Sequence, residues 1–201
     1  MGLWARAFAA GYDRFGERAE RAGLARARRD LLAAARGRVL EIGAGTGRNV
    51  RHYPADADVT YTEPDPHMAR RLRAQEVEVI AATADHLPFA DESFDTVVST
   101  LVLCTVPDVP AALDEIRRVL APGGRLLFLE HVRAAPGTRL ERWQNRLHGP
   151  WRAFACGCNC NRDLLASLEA RGFALDEVRY EEWRFMPPLV RPVVLGAASG
   201  Q

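Results

Sequence analysis

The segment richest in chemistry runs Val39-Leu40-Glu41-Ile42-Gly43-Ala44-Gly45-Thr46-Gly47-Arg48, an apolar run that breaks into alternating glycines. Glycines in that pattern let the chain turn tightly and let a ligand approach bare backbone N–H groups. The stretch reads as a strand followed by a helix, whose N-terminal dipole would face the same ligand. A dinucleotide site needs G-x-G-x-x-G; here the third glycine comes one place early, and Arg48 holds the expected position. Glu41 ahead of the glycines would repel a pyrophosphate yet suits a ligand with an ammonium group. Glu63 stands sixteen residues after Gly47, at the end of the next strand-like run. A carboxylate there can accept hydrogen bonds from both hydroxyls of a ribose, where a lone surface charge is the bland alternative.

These residues need a scaffold, and the chain supplies one of ordinary globular composition. Its 201 residues, 48% hydrophobic and 26% charged, predict one domain able to bury its own core. The N-terminal part, residues 1–37, reads as a helical cap with eight arginines against four acids: a solvated helix face, or a basic contact with an anionic surface. Strand-like runs follow at Arg38–Ile42, Val59–Thr62, Val77–Ala81, Thr96–Ser99 and Arg125–His131, with helical stretches at Pro66–Arg73 and Pro110–Leu120 between them. Such alternation predicts βαβ units and a parallel sheet. In the tail, Arg139 to Phe154 reads as helical and Asn161 can cap a helix running to Arg171. Phe173–Glu181 and Leu189–Leu195 then read as closing strands.

All 27 basic residues are arginine, which excludes a Schiff-base lysine, a P-loop lysine and any lysine base. A net charge of +1 argues against nucleic acid as a partner. No signal peptide or membrane span is legible, so the expectation is a cytoplasmic protein acting on a small-molecule substrate without stable membrane insertion.

The glycine loop, Glu63, Ala84-Asp85-His86-Leu87-Pro88-Phe89, Asp91-Glu92-Ser93-Phe94-Asp95 and Arg118-Val119-Leu120-Ala121-Pro122-Gly123-Gly124 together resemble the class I S-adenosylmethionine-dependent methyltransferases. The likeness is strongest to the branch with the ubiquinone/menaquinone C-methyltransferases. It implies a Rossmann-like α/β fold: a seven-stranded, mostly parallel sheet in the order 3-2-1-4-5-7-6, helices on both faces, and the seventh strand antiparallel. It implies S-adenosyl-L-methionine as cofactor, whose ammonium and sulfonium match the charge of Glu41. It also implies roles: Glu41, Gly43, Ala44, Gly45 and Gly47 at the methionine moiety, Glu63 at the ribose, and Pro64 and Met68 on the ribose–adenine side. Thr83, Ala84 and Asp85 would lie along the adenine, and Thr100 and Leu101 near the sulfonium. Thr83 stands where many relatives have an acid, which leaves adenine recognition more to the Ala84 backbone. Residues 38–131 are then the cofactor-binding core and 132–201 the acceptor side.

Further on, Thr100-Leu101-Val102-Leu103-Cys104-Thr105-Val106, Leu129-Glu130-His131-Val132, Trp143-Gln144, Gly157-Cys158-Asn159 and Leu189-Val190-Arg191-Pro192 resemble the alkyl thiol S-methyltransferases. That likeness implies a thiol acceptor; O-, N- or C-methylation of a natural-product, quinone or lipid-headgroup acceptor is the alternative. Methyl transfer is an in-line displacement, so the protein mainly aligns nucleophile and methyl group. His131, at the end of a strand on the ligand-binding edge, is the candidate base or substrate-orienting group, with Glu130 as its orienter or a structural anion. Tyr12, Phe15, Trp143 and Trp183 could wall an apolar acceptor pocket, Trp151 with them, although core packing is the ordinary role of such residues. Cys156, Cys158 and Cys160 lack the paired spacing of a zinc site, so no metal is expected. Two readings from other classes stand beside this one: a nicotinamide-dependent oxidoreductase, whose fingerprint Arg48 breaks, and a non-enzymatic S-adenosylmethionine-binding module.

Overall fold

A computed structural model of the chain describes residues 11, 13, 14, 16–183 and 185–200. After a helical stretch at 16–19 comes a π turn, Glu20–Leu24, in which Gly23 sits at φ 140°. There follow α1 (Ala25–Leu32), β1 (Arg38–Ile42), a 3-10 turn (Val50–His52), β2 (Asp58–Thr62), α2 (Pro66–Arg73), β3 (Val79–Ile80) and β4 (Phe94–Thr100). The second half is α3 (Val109–Val119), β5 (Leu120–His131), α4 (Arg139–Phe154), α5 (Leu164–Ala170), β6 (Phe173–Glu182), a 3-10 turn (Pro188–Val190) and β7 (Pro192–Gly200). The strands form one sheet in the order β3-β2-β1-β4-β5-β7-β6, with β7 antiparallel to both neighbours and the other pairs parallel. Order and orientation are those that the resemblance implied.

Alternation along the central strands builds a core on each face. Leu40, Val97, Leu126 and Phe128 turn to one side, against Leu113 and Ile116 of α3 and Leu164 and Leu168 of α5. Val39, Val98, Leu127 and Leu129 turn to the other, against Leu24, Leu31 and Leu32. Helices start where the sequence provides an oxygen for the first free N–H groups. Asp65 caps α2, Asp108 caps α3 and Thr138 caps α4, with Glu141 reaching back to the Gly137 N–H.

Four boundaries differ from the sequence reading. The helical cap ends at Leu32, short of Gly37. The glycine loop does not open an α-helix: Gly47 is left-handed at φ +85°, and the N–H groups of Gly47, Val50 and His52 bond three residues back, so a 3-10 turn forms. That removes the expected helix dipole from the loop. Asp163 rather than Asn161 caps α5, accepting from the Ala166 N–H. The last strand begins at Pro192 and runs to Gly200, because Pro188–Val190 is a 3-10 turn.

Candidate active site

β1, β2 and β3 run to one side of the sheet and β4 and β5 to the other, so the crevice lies where β1 and β4 part at their carboxyl ends. The glycine loop fills that point. Gly43, Gly45 and Gly47 are all left-handed, at φ +54°, +60° and +85°. A Cβ on Gly43 would lie 2.7 Å from Val102 Cγ1, and one on Gly47 would collide with Gln75 and Leu72. Gly45 is different: the nearest atom to its missing Cβ is the Gly43 carbonyl oxygen at 4.0 Å. The first and third glycines are thus required by packing, and the middle one faces open space.

Glu63 ties the loop to the next strand. One of its oxygens accepts the Gly45 N–H and the other the Asp65 N–H, each at 2.8 Å, and the residue is 7% exposed. Burial pushes its carboxyl above the usual range, against the pull of those two N–H groups. Each oxygen keeps a lone pair for a ribose hydroxyl. Glu41 lies deeper. Its oxygens accept from Asn49 at 2.9 Å and from the Tyr53 hydroxyl at 2.7 Å, and burial pushes it up to about 7.

Arg28, Asn49 and Tyr53 belong to this site, and sequence reasoning missed them. The Arg28 guanidinium is buried, pairs with buried Glu20 at 3.2 Å, and donates to Asn49 and to the Thr100 hydroxyl, each at 3.0 Å. Asn49 donates to Thr100 as well as to Glu41. One buried cation, Arg28, and three buried carboxylates, Glu20, Glu41 and Glu63, therefore flank the open loop, a set of charges that fits a zwitterion carrying a ribose. Above it, Asp13 accepts from Thr46, Arg48 and Arg71, and Glu17 from Arg48, so the N-terminal helix is strapped to the loop. Arg48, which breaks the dinucleotide pattern, is that strap's anchor.

The residues expected beside the adenine lie along the same edge. Pro64 is exposed and Met68 half-buried in the first turn of α2; Thr83, Ala84 and Asp85 form a turn closed by the His86 N–H on the Thr83 carbonyl. Thr100 is buried, and Leu101 is left-handed at φ 61° with its N–H on the Leu129 carbonyl.

At the end of β5, Glu130 and His131 part company. Glu130 is fully buried and accepts from the Ser99 hydroxyl and the N–H groups of Val102, Leu103 and Cys104. Neighbours on a strand point to opposite faces, so of the two roles expected for Glu130, orienter of His131 or structural anion, its contacts are those of the second: it holds the 102–104 turn. His131 lies on the Arg28 face, 6% exposed. Burial pushes its imidazole down to about 4, against the opposing pull of the Val190 backbone. Its Nδ1 is buried without a partner.

The aromatic expectations divide. Tyr12 and Phe15 lie outside the described residues. Trp183 is half-buried against the apolar cluster on the Arg28 face, as are Leu101 and Met186, while its indole N–H reaches Glu181 at 2.9 Å. Trp143 is not on the inner side of α4: it is 43% exposed, because the helix turns Gln144 inward. Trp151, on the inner side of α4, packs with Cys104, Cys158, Cys160 and Val190. The neighbouring Cys104 thiol holds the Cys158 thiol below its ordinary range.

Residues 40–128 match the family model described as a methyltransferase domain. The chain is 38% identical to the human thiol S-methyltransferase TMT1B over 182 residues, covering 83% of this chain and 73% of the relative. It is 36% identical to the human thiol S-methyltransferase TMT1A, over 80% of this chain and 69% of the relative. Among solved structures, an S-adenosylmethionine-dependent methyltransferase from Thermotoga maritima superposes with a TM-score of 0.74 at 25% identity, all of both chains being covered. A geranyl diphosphate methyltransferase in complex with S-adenosylmethionine shares the fold, with a TM-score of 0.70 at 15% identity over 89% of this chain and 85% of that one.

Proposed function

The chain belongs to the S-adenosylmethionine-dependent methyltransferases, in the branch of the thiol S-methyltransferases, and from that membership we propose that it methylates small, apolar thiols with His131 receiving the S–H group. The nicotinamide reading and the non-enzymatic module fall away with that membership. S-adenosylmethionine supplies a methyl group on positively charged sulfur, open to displacement by a nucleophile. Arg28 and Glu41 take the carboxylate and ammonium of its methionine end, Gly43, Ala44, Gly45 and Gly47 line that end with backbone, and Glu63 takes the ribose. Pro64, Met68, Thr83, Ala84 and Asp85 border the adenine, and Thr100 and Leu101 the sulfonium side.

The observation that carries the acceptor reading is the orphaned Nδ1 of His131. With its pKa near 4 the imidazole is neutral at physiological pH, and the unpartnered Nδ1 is the ring atom left to meet an acceptor's S–H group. So weak a base does not strip a phenol or an ammonium of its proton. A thiol with a pKa of ~8.5 is already a few per cent thiolate, and needs only orientation and a place to start its proton toward solvent. Trp183, Leu101 and Met186 are partly buried against the apolar cluster on the Arg28 face, on which His131 also lies, and such surroundings suit an apolar thiol.

A panel of thiols, phenols and amines with labelled cofactor tests this. Thiols alone should turn over; methylation of only phenols or amines sinks the reading. His131→Asn should lower thiol turnover about tenfold to a hundredfold at neutral pH, recover toward pH 9 as the thiol ionises unaided, and leave S-adenosylhomocysteine affinity unchanged.

A further inference from the structure

Four glutamates are buried among the described residues: Glu20, Glu41, Glu63 and Glu130. Three of them fill both oxygens. Glu41 holds Asn49 and Tyr53, Glu63 the N–H groups of Gly45 and Asp65, and Glu130 the Ser99 hydroxyl and three N–H groups. Glu20 does not. Arg28 Nε reaches its Oε1 at 3.2 Å, long for a charged pair, and its Oε2 is buried without a partner. An empty oxygen on a buried carboxylate is unfavourable unless a donor arrives to fill it.

The local backbone explains how the oxygen comes to be there. Glu20, Leu24 and Arg28 are spaced by four and all buried, so they share the inner face of the helical run that ends at Leu32. Between the first two, Gly23 sits at φ 140°, which glycine alone adopts freely, although a Cβ there would meet nothing within 4 Å. Packing does not require this glycine; the kink in the π turn does. Such turns gather at functional sites.

Charge and hydrogen bonding say what fills the oxygen. Through Asn49 and Thr100, Arg28 ties this face to the glycine loop and the end of β4. There Glu20 and Glu41 set two carboxylates against one buried guanidinium, which leaves room for a further cation that donates hydrogen bonds. Arg48, whose charge feels Glu20, is committed to Asp13 and Glu17. A metal ion would need several oxygens and would be repelled by Arg28. An ammonium fits: a compact cation with three N–H donors, arriving with a carboxylate for Arg28.

We infer that Glu20 binds the cofactor's ammonium, its Oε2 taking one N–H beside Glu41, and so selects nucleoside sulfoniums and thioethers that carry a free amine. The inference rests on S-adenosylmethionine lying on the glycine loop with its methionine end at Arg28, and not on the identity of the acceptor. A ligand without the amine leaves Oε2 buried and empty, so Glu20 discriminates as well as attracts.

Calorimetry with two ligands tests this: S-adenosylhomocysteine, and the same molecule with hydrogen in place of its amino group. Glu20→Gln should lower affinity for S-adenosylhomocysteine about tenfold or more, the scale of one charged hydrogen bond, and change affinity for the desamino ligand by less than about threefold. Retained binding of the desamino ligand also shows that the variant folds. If Glu20 served only to hold Arg28, both ligands would lose alike, since both carry the carboxylate. Equal losses, up to binding of neither, overturn the inference, as does a variant that binds S-adenosylhomocysteine like wild type. Failure of wild type itself to bind S-adenosylhomocysteine would instead overturn the placement of the cofactor, and the inference with it.

Discussion

On the cofactor side of the crevice, the turns at the strand ends hang on carboxylates. Glu63 holds the N–H groups of Gly45 and Asp65, Glu130 those of Val102, Leu103 and Cys104, and Glu115 that of Leu87. On the acceptor side neutral groups carry more of this work, beside the Arg162 guanidinium that holds the Leu103 and Val106 carbonyls. Gln144 joins Ala134, Val132 and Leu189; Asn159 joins the Cys104 and Gly157 carbonyls and faces His148; and His131 is kept uncharged by burial. The difference follows the ligands. A cofactor with an ammonium and a sulfonium rewards fixed negative charge nearby, whereas an apolar acceptor is repelled by a desolvated ion but indifferent to satisfied amides.

If that contrast is real, the anchors should differ in strength. Glu130→Ala leaves the Ser99 hydroxyl and three buried N–H groups without an acceptor. We expect a loss of about 3–5 kcal/mol in unfolding free energy, the scale for removing one member of a buried charged group. Gln144→Ala strips one N–H and two carbonyls of a neutral partner and should cost about 1–3 kcal/mol. Urea denaturation of both variants checks the order; equal losses would break the comparison.

The two sides should also respond to pH with opposite signs. Glu41 is raised by burial from 4.5 to about 7, so the folded protein binds a proton the unfolded chain has lost; its contribution is full below pH 4.5 and disappears as pH rises through 7. His131 is lowered by burial from 6.5 to about 4, so its contribution is full above pH 6.5 and disappears as pH falls toward 4. Each amounts to roughly 3 kcal/mol across its window. Between pH 4.5 and 6.5 the two slopes oppose each other, and each single variant uncovers the other group. Relative to wild type, the stability of Glu41→Gln should climb with pH there by up to about 1.4 kcal/mol per unit. That of His131→Asn should fall at the same rate. Parallel curves for wild type and both variants would mean neither group is buried as the structure has it.

The contrast also sets what could be read from the sequence. β1, α2 and α4 fall on their expected bounds, because hydrophobic spacing, an Asp-Pro start and a Thr cap act within a few residues. Glu63 was legible for the same reason, since strand, loop and acid follow one another at short range. Arg28 was not. It is one of eight arginines before residue 38, and only contacts to Asn49, 21 residues on, and Thr100, 72 residues on, single it out. Trp143 was misplaced because the helical pattern of α4 is legible but its orientation is not; Gln144 points inward for partners at Val132 and Leu189, which no local rule reveals. The acceptor side is assembled by such long-range neutral contacts, and is correspondingly opaque to spacing arguments.

The smallest of the expected effects is the most specific to the cofactor half. Glu63→Ala unties Gly45 from Asp65 and removes the proposed acceptor for two ribose hydroxyls, yet it opens no apolar core. Both freed N–H groups border the open crevice, where water can reach them, so the loss in fold stability should be well below that of Glu130→Ala. Affinity for S-adenosylhomocysteine should fall by more than ~1 kcal/mol, about fivefold or more, the scale of a lost hydrogen-bonding group. Glu63→Asp is the sharper variant, since it keeps the charge and withdraws it by one methylene. If attraction between the carboxylate and the cofactor's positive charge were what mattered, aspartate would restore most of the affinity. If the carboxylate acts as a paired acceptor held by two backbone N–H groups, aspartate cannot span Gly45, Asp65 and the ribose together and should bind nearly as weakly as alanine. Calorimetry on the two variants decides between a field and a fitted hydrogen-bond pair; unchanged affinity in both would remove the ribose from Glu63.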